Sequence, residues 1–203
     1  GAPVPAGADA VVMQEDVQIE SDRVRLPNTI APGENVRARG QDSRAGDELL
    51  PAGRRLRPQD LGLAASQGIA ALSVRPRLQV ALLSTGSELA EPGGEPPGPG
   101  GIYNSNRPML AALLHALGCE VVDLGRVEDT LDTTNEALER GAVASDLIIS
   151  SGGVSVGEAD YVRDAVVALG EIDLWKVAIK PGKPFAKGRV GETPFMGLPG
   201  NPA

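Results

Sequence analysis

The sequence predicts an α/β protein in which a largely parallel sheet follows a small mainly β domain and a helical connector. Three observations support this prediction. The chain changes near residue 75, from short runs broken by Pro, Gly and Asp to longer apolar segments. The first of these, residues 78–84, is an apolar run of the kind found in strands buried on both faces. Strands and helices then alternate, which is typical of βαβ units.

The first 55 residues are predicted to be part of the small β domain. Short β-prone runs, separated by turn residues, lie at 10–14, 17–20, 23–26 and 35–37. Residues 56–74 form the connector, with a helix over 59–67, because Pro58 suits a helix start and Gly68 a helix end.

The α/β domain is predicted over residues 75–203. One helix has Asn106 as its N-cap and Pro108 in its first turn, and it stops at Gly118. Further helices are predicted over 131–144 and 159–169, the second ended by Gly170. Strands are predicted at 78–84, 121–124, 147–150, 175–179, 185–190 and 194–198.

The composition excludes several classes of protein. The chain has 203 residues, a formal net charge of −8, one Cys and one His, which argues against disulfide frameworks, Cys-rich or multi-His zinc sites and a Ser-His-Asp site. The acidic balance argues against general nucleic-acid binding. No apolar run reaches membrane length, so we expect a cytoplasmic protein without a membrane partner. Because the chain begins at Gly1 and stops at Ala203, we expect a piece of a longer protein.

Five loops follow the predicted strands and contain small, charged or glycine residues. In open α/β sheets, ligands bind beyond the carboxyl ends of the strands, so these loops are expected to meet at one edge. They cover residues 84–88, 125–129, 150–160, 180–184 and 199–202.

The Ser/Gly loop at 150–157 has two interpretations. Its glycines can bring backbone N–H groups close to an anion ahead of a helix N-terminus, which favours a phosphate site. It can equally be an ordinary turn. Neither a P-loop nor a G-x-G-x-x-G pattern after a strand is present, which argues against nucleotide hydrolases and dinucleotide oxidoreductases.

Charged side chains near the strand ends are candidates for ligand contacts. All four lysines lie between residues 176 and 187, and they indicate either a phosphate partner or a solvated basic hairpin. Glu88, Asp129 and Asp160 lie at or just after strand ends, where carboxylates can hold Mg²⁺ or accept from an amine or amide.

Five motifs occur in order along these loops: STGSEL at 84–89, IYNSN at 102–106, SSGGVSVGEADY at 150–161, WKVAIKPGKP at 175–184 and GLPGNP at 197–202. Together they resemble the molybdopterin molybdenumtransferases, the MoeA-type molybdenum insertases that include the gephyrin E domain. Residues 1–12 and 46–53 are similar to the same family, so the resemblance covers the whole chain and implies a molybdopterin-binding α/β domain.

The resemblance implies a cytoplasmic homodimer that takes adenylylated molybdopterin from a molybdopterin adenylyltransferase. With Mg²⁺ and molybdate, such an enzyme releases AMP and molybdenum cofactor. Catalytic positions implied by the motifs are Glu88, Asp129, Asp160, Lys176 and Lys180, with Asp129 and Asp160 as Mg²⁺ ligands. Substrate-binding positions predicted in the same loops are Thr85, Gly86, Ser151, Gly152, Gly153, Ser155, Gly157, Lys183, Pro199, Gly200, Asn201 and Pro202.

The chain departs from the family in two respects. Gln41 stands where similar proteins often carry Glu, and the chain resembles only the middle of the family, so we expect this piece to bind substrate without turnover. Two alternatives remain open: a related molybdopterin adenylyltransferase module, and a gephyrin-type scaffold that binds receptor peptides.

Overall fold

The chain forms two compact units in a computed structural model that describes residues 2–154, 161–175 and 185–200. One unit ends at Ser73 and the other begins at Val74. Among the described residues, no helix has the length and apolar character needed to cross a membrane.

The first unit contains little regular β structure. Its strands among the described residues are a short antiparallel hairpin, β1 (Gln18–Glu20) and β2 (Arg23–Arg25), turned at Ser21 with φ +54°. The strands predicted at 10–14 and 35–37 are wrong. Gln14–Asp16 is a 3₁₀ turn, and Asn35 at φ +53° interrupts the second run.

The helix of the connector is confirmed as α1 (Pro58–Ser66), and it belongs to the first unit. Asp60, 4% exposed, accepts the Arg57 N–H at 2.9 Å and binds both the Arg54 and Arg57 guanidinium groups. These partners hold the pKa of Asp60 well below its usual value, and the hydrogen bond from Arg54 has the largest effect. Gly68 follows the helix at φ +77°, a conformation that favours glycine.

The second unit is built on a six-stranded sheet. Its elements are β3 (Gln79–Thr85), β4 (Leu89–Ala90), β5 (Ile102–Tyr103), α2 (Asn106–Ala116), β6 (Glu120–Val127), α3 (Leu131–Ala144), β7 (Leu147–Ser151), α4 (Tyr161–Leu169), β8 (Gly170–Trp175), β9 (Ala186–Val190) and β10 (Thr193–Leu198). The strand order in the sheet is β6-β3-β7-β10-β9-β8, and β4 and β5 form a separate parallel pair.

The centre of the sheet is parallel, as predicted, and one side is antiparallel. Strands β6, β3, β7 and β10 run in the same direction, whereas β9 is antiparallel to both β10 and β8. Helix α2 packs Leu110 and Leu114 on the face that carries Val80 and Leu82. Helices α3 and α4 pack on the opposite face, where Phe195 is fully buried.

Two predictions for the second unit need correction. The N-cap of α2 is Ser105, not Asn106, which is already helical. The strand after α4 begins at Gly170, earlier than the predicted 175–179, of which only Trp175 is described. A Cβ on Gly170 would collide with the Arg189 carbonyl oxygen on β9, so this glycine permits close strand pairing as well as ending the helix.

Candidate functional site

The site is a crevice at the carboxyl ends of β3 and β7. The chain leaves β3 for α2 on one face of the sheet, and the helix that follows β7, α4, packs on the other face. Neighbouring strands whose connections depart to opposite sides leave a crevice between their ends, where open α/β sheets bind ligands. Ser84 pairs with Ser151 at this point, and Ser151 pairs with Leu198 of β10.

Gly152 and Gly153 pack directly on the end of β3. Both have positive φ, +93° and +68°, and a Cβ on Gly152 would collide with the Thr85 carbonyl oxygen. A Cβ on Gly153 would collide with Val162 of α4 and lie 2.8 Å from Thr85 Oγ1. Thr85 is 5% exposed, and its hydroxyl has no hydrogen-bond partner among the described residues. The glycines therefore let the loop approach a buried, unsatisfied hydroxyl.

The backbone of Gly152 is held on both sides. Its N–H donates to the Leu198 carbonyl at 3.0 Å, and its carbonyl accepts the Ser150 hydroxyl at 3.0 Å. This N–H is consequently engaged within the protein and is not one of the donors that the phosphate interpretation of the loop requires. That interpretation stays a prediction for the remaining amides of the loop.

Asn106 links the ends of β7 and β10. Its Nδ2 donates to Ser151 Oγ at 3.0 Å and to the Gly200 carbonyl at 2.7 Å. From the sequence, Asn106 is predicted as a helix cap and is the last residue of the IYNSN motif, and neither feature indicates this bridge. An asparagine beside Ser105, itself a good N-cap residue, was the available signal, because only one of the two can occupy the cap position.

The loop after β3 lies beside the loop after β6. Asp129 follows β6, and its Oδ2 accepts the backbone N–H of Ser87 at 2.8 Å. The Glu88 carboxylate lies over Gly86, since a Cβ on that glycine would be 2.8 Å from Glu88 Oε2. Thus Gly86, Glu88 and Asp129 belong to adjoining loops at one edge, next to Thr85 at the end of β3.

A cleft of about 660 Å³ opens beside Glu88. Its far wall is the Pro/Gly-rich segment 91–101, and the exposed Arg126 of β6 also lines it. Arg107 of α2 anchors the start of the wall by ion pairs to Glu91 and, at 2.5 Å, to Asp123. Arg107 thus links the start of this wall to β6.

The described residues supply one of the two predicted metal ligands, Asp129. They contain no group of three or more His, Cys, Asp or Glu side chains arranged for a metal. Mg²⁺ commonly takes one or two protein carboxylates and completes its octahedron with water and substrate phosphates. The Asp129 carboxylate is therefore compatible with Mg²⁺ held jointly with a phosphate ligand.

The structure brings together Thr85, Ser151, Gly152, Gly153, Pro199 and Gly200 at the ends of β3, β7 and β10. Trp175 and Ala186 pair at the same edge, because Ala186 also pairs with Gly197. Eight predicted site residues lie outside the described part of the chain: Ser155, Gly157, Asp160, Lys176, Lys180, Lys183, Asn201 and Pro202. Their roles stay predictions.

Comparison with known proteins gives two family matches. Residues 81–203 match the family described as "Probable molybdopterin binding domain", and residues 1–68 match the "MoeA N-terminal region (domain I and II)". All of this chain aligns with half of a Haemophilus influenzae molybdopterin molybdenumtransferase at 44% identity, and with 51% of a Mycobacterium tuberculosis molybdopterin molybdenumtransferase 2, also at 44%.

A solved structure has the same fold. It is a molybdopterin biosynthesis MoeA protein from Pyrococcus horikoshii, 33% identical, with a TM-score of 0.78 over 98% of this chain and 50% of that one. The chain thus spans about half the length of the curated relatives it matches.

Proposed function

Because the chain belongs to the molybdopterin-binding domain family and carries a MoeA-type N-terminal region, we propose that it is part of a molybdopterin molybdenumtransferase. In this proposal, the protein inserts molybdate into adenylylated molybdopterin and releases AMP. The crevice at the ends of β3, β7 and β10 binds the pyrophosphate-bearing substrate.

One observation carries the proposal. The glycine pair 152–153 packs on Thr85 at the switch point of the sheet, and its loop is tied to the end of β10. A crevice with close backbone approach suits a phosphorylated ligand, because backbone amide donors stabilise phosphate oxygens. Trp175 is the last residue of β8 and lies at this edge. In the sequence, Lys176 follows it directly, and Lys180 and Lys183 come shortly afterwards.

Mg²⁺ is part of the proposal as an ion held by Asp129 together with Asp160 and the substrate. When bound, it would neutralise negative charge on the pyrophosphate. The chain's own contribution is to hold the Asp129 carboxylate against the Ser87 N–H, so that the metal position and the loop after β3 are coupled.

The proposal includes further properties that the family resemblance implies. The protein is a cytoplasmic homodimer, and a molybdopterin adenylyltransferase supplies its adenylylated substrate. Molybdate is a substrate whose dianionic charge suits backbone N–H groups and cations near Pro199 and Gly200. The match of residues 1–68 to the MoeA N-terminal region supports an insertase over an adenylyltransferase module.

The experiment measures both binding and turnover. Calorimetry with adenylylated molybdopterin should show Mg²⁺-dependent binding. Lys180→Ala should reduce the binding free energy by about 1–3 kcal/mol, the contribution of a charge-assisted hydrogen bond. Lys187→Ala is the matched control, because Lys187 is an exposed lysine on β9. Equal losses in both variants would argue against a specific phosphate contact.

Turnover is followed as molybdate-dependent AMP release. The Haemophilus influenzae relative should release AMP, whereas the 203-residue chain should bind without release above background, because catalysis needs groups positioned to about 1 Å. Steady release by the 203 residues would overturn the expected inactivity. Absence of any binding would overturn the proposed function.

A further inference from the structure

We propose that Asn106 is a positioning residue of the strand-end site: its side-chain amide fixes the separation between the loop after β7 and the loop after β10. The identity of the ligand rests on the proposed function, whereas the geometry of Asn106 is independent of that function. Asn106 is absent from the set of site residues predicted from the sequence.

The side-chain nitrogen of Asn106 has two hydrogens and two acceptors. It lies 3.0 Å from Ser151 Oγ and 2.7 Å from the Gly200 carbonyl oxygen. An amide NH₂ can satisfy two acceptors at once, so neither hydrogen bond excludes the other. One planar group on α2 therefore joins the last residue of β7 to a residue that follows β10.

A second hydrogen bond joins the ends of the same two strands. The Gly152 N–H donates to the Leu198 carbonyl at 3.0 Å, one residue after Ser151 and two residues before Gly200. The two sets of hydrogen bonds span residues 151–152 at the end of β7 and residues 198–200 at the end of β10. Gly152 cannot shift away from Gly200 without breaking at least one of them.

This positioning matters because Gly152 also packs on Thr85. A Cβ on Gly152 would be 3.1 Å from Thr85 Oγ1, so the distance between this loop and β3 is already minimal. Asn106 closes the arrangement on the β10 side. The ends of β3, β7 and β10 are thus held together, and we call them the rim of the substrate site.

The residue type at position 106 fits this role and not a capping role. Ser105 is the N-cap without a side-chain capping bond, and the Asn104 side-chain oxygen accepts the Arg107 N–H of the first turn at 3.3 Å. Position 106 lies in the first turn, where an acidic side chain would interact favourably with the helix dipole. An aspartate carboxylate, however, cannot donate, and it would face the Gly200 carbonyl oxygen. The Gly200 carbonyl can only accept, so asparagine supplies the donor that it needs and that an aspartate carboxylate lacks.

The test compares Asn106→Asp with Asn106→Ala in the chain at its full natural length. The probe is diadenosine diphosphate, which carries the AMP half and the pyrophosphate of the proposed substrate. At pH 7.5 both variants should bind it roughly tenfold more weakly than the wild type, the loss expected when a hydrogen bond is removed. Asn28→Asp, the same change at an exposed site of the first unit, is the control and should bind normally.

Lowering the pH separates positioning from general damage. An Asp side chain has an ordinary pKa near 3.9, and its protonated form donates one hydrogen bond. The affinity of Asn106→Asp, relative to the wild type at the same pH, should therefore recover as the pH falls from 7.5 towards about 4. Asn106→Ala should show no such recovery.

Hydrogen exchange of the Gly152 amide provides a readout that needs no ligand. Exchange in Asn106→Asp should be faster than in the wild type at pH 7.5, and the ratio should fall as the pH is lowered. Wild-type exchange and binding in Asn106→Asp at pH 7.5 would overturn the inference. If the wild type binds no probe while exchange follows the expected pattern, the proposed function fails and the positioning role stands.

Discussion

The carboxylate of Asp129 accepts the backbone N–H of Ser87 at 2.8 Å, although the two residues are 42 positions apart. Strands β3 and β6 are parallel neighbours, and Thr85 pairs with Val127 at their ends. A residue that follows one strand therefore fixes the loop that follows the other. The same carboxylate is one of the two predicted metal ligands, so it has both a structural and a chemical part in the proposed site.

Asp129→Asn should separate these two parts. The Asn side-chain oxygen can still accept the Ser87 N–H, so thermal stability should change little, whereas Mg²⁺-dependent ligand binding should be lost with the negative charge. Asp129→Ala should also lose the hydrogen bond, at about 1 kcal/mol. Calorimetry with and without Mg²⁺, beside thermal melting, measures both effects.

Asp132→Asn is the control for that experiment, because it removes the same charge from an exposed position in the first turn of α3. It should leave Mg²⁺-dependent binding intact. Normal Mg²⁺ dependence in Asp129→Asn would remove Asp129 from the metal site.

Gly152→Ala should destabilise the second unit by more than its backbone conformation alone explains. Positive φ costs a residue with a Cβ about 1–2 kcal/mol, and contact with the Thr85 carbonyl adds about 1–3 kcal/mol of overpacking. Gly125→Ala isolates the first contribution, because Gly125 has φ +77° and open space around its Cβ position. Denaturant unfolding compares the two variants, and equal losses would contradict the close packing on Thr85.

Acid should weaken α1 through Asp60. A carboxylate whose pKa is lowered on folding stabilises the protein fully above its unfolded pKa, near 3.9, and this stabilisation declines as the pH falls further. The melting temperature of the first unit should therefore drop below about pH 4, and Asp60→Asn should flatten that drop while lowering stability at neutral pH.

Asp42→Asn offers a matched comparison in the same unit. Asp42 pairs with Arg37 at 3.1 Å, but both side chains are largely exposed. Because exposed pairs contribute little, this variant should keep the wild-type acid profile. A flattened profile in Asp42→Asn as well would show that the acid response does not come from Asp60.

Arg107→Gln should loosen the wall of the cleft. Arg107 binds Glu91 at the start of segment 91–101 and Asp123 on β6, and these partners raise its pKa although burial opposes them. Amide exchange across residues 92–101 should accelerate, while the sheet remains protected. Arg140→Gln, on an exposed position of α3, should leave the segment unchanged, and unchanged exchange in Arg107→Gln would contradict the anchoring role.

The sequence was sufficient for the parts of the fold that depend on local pattern. The bounds of α3 agree with the prediction at 131–144, because its apolar spacing and the Thr130 cap are contained in one segment. The closeness of the described loop residues after β3 and β6, and of those after β7 and β10, also followed from parallel topology. These features need no knowledge of distant partners.

The missed features depend on contacts between distant residues. Asn106 bonds to partners 45 and 94 positions away, so nothing near it in the sequence shows that its amide is engaged. The Gly152 amide is occupied by Leu198 for the same reason. Gly170 was interpreted as a helix end, and its close approach to Arg189 becomes visible only when β8 and β9 pair.

The central place of β10 in the sheet has a consequence for synthesis on the ribosome. Among the described strands of this sheet it is the last to be made, yet it lies between β7 and β9. While the chain emerges, β7 has a free backbone edge, a surface that can pair with other nascent chains. Leu198 and Gly200 also complete the rim, so the nascent protein acquires the proposed site only near the end of this segment's translation.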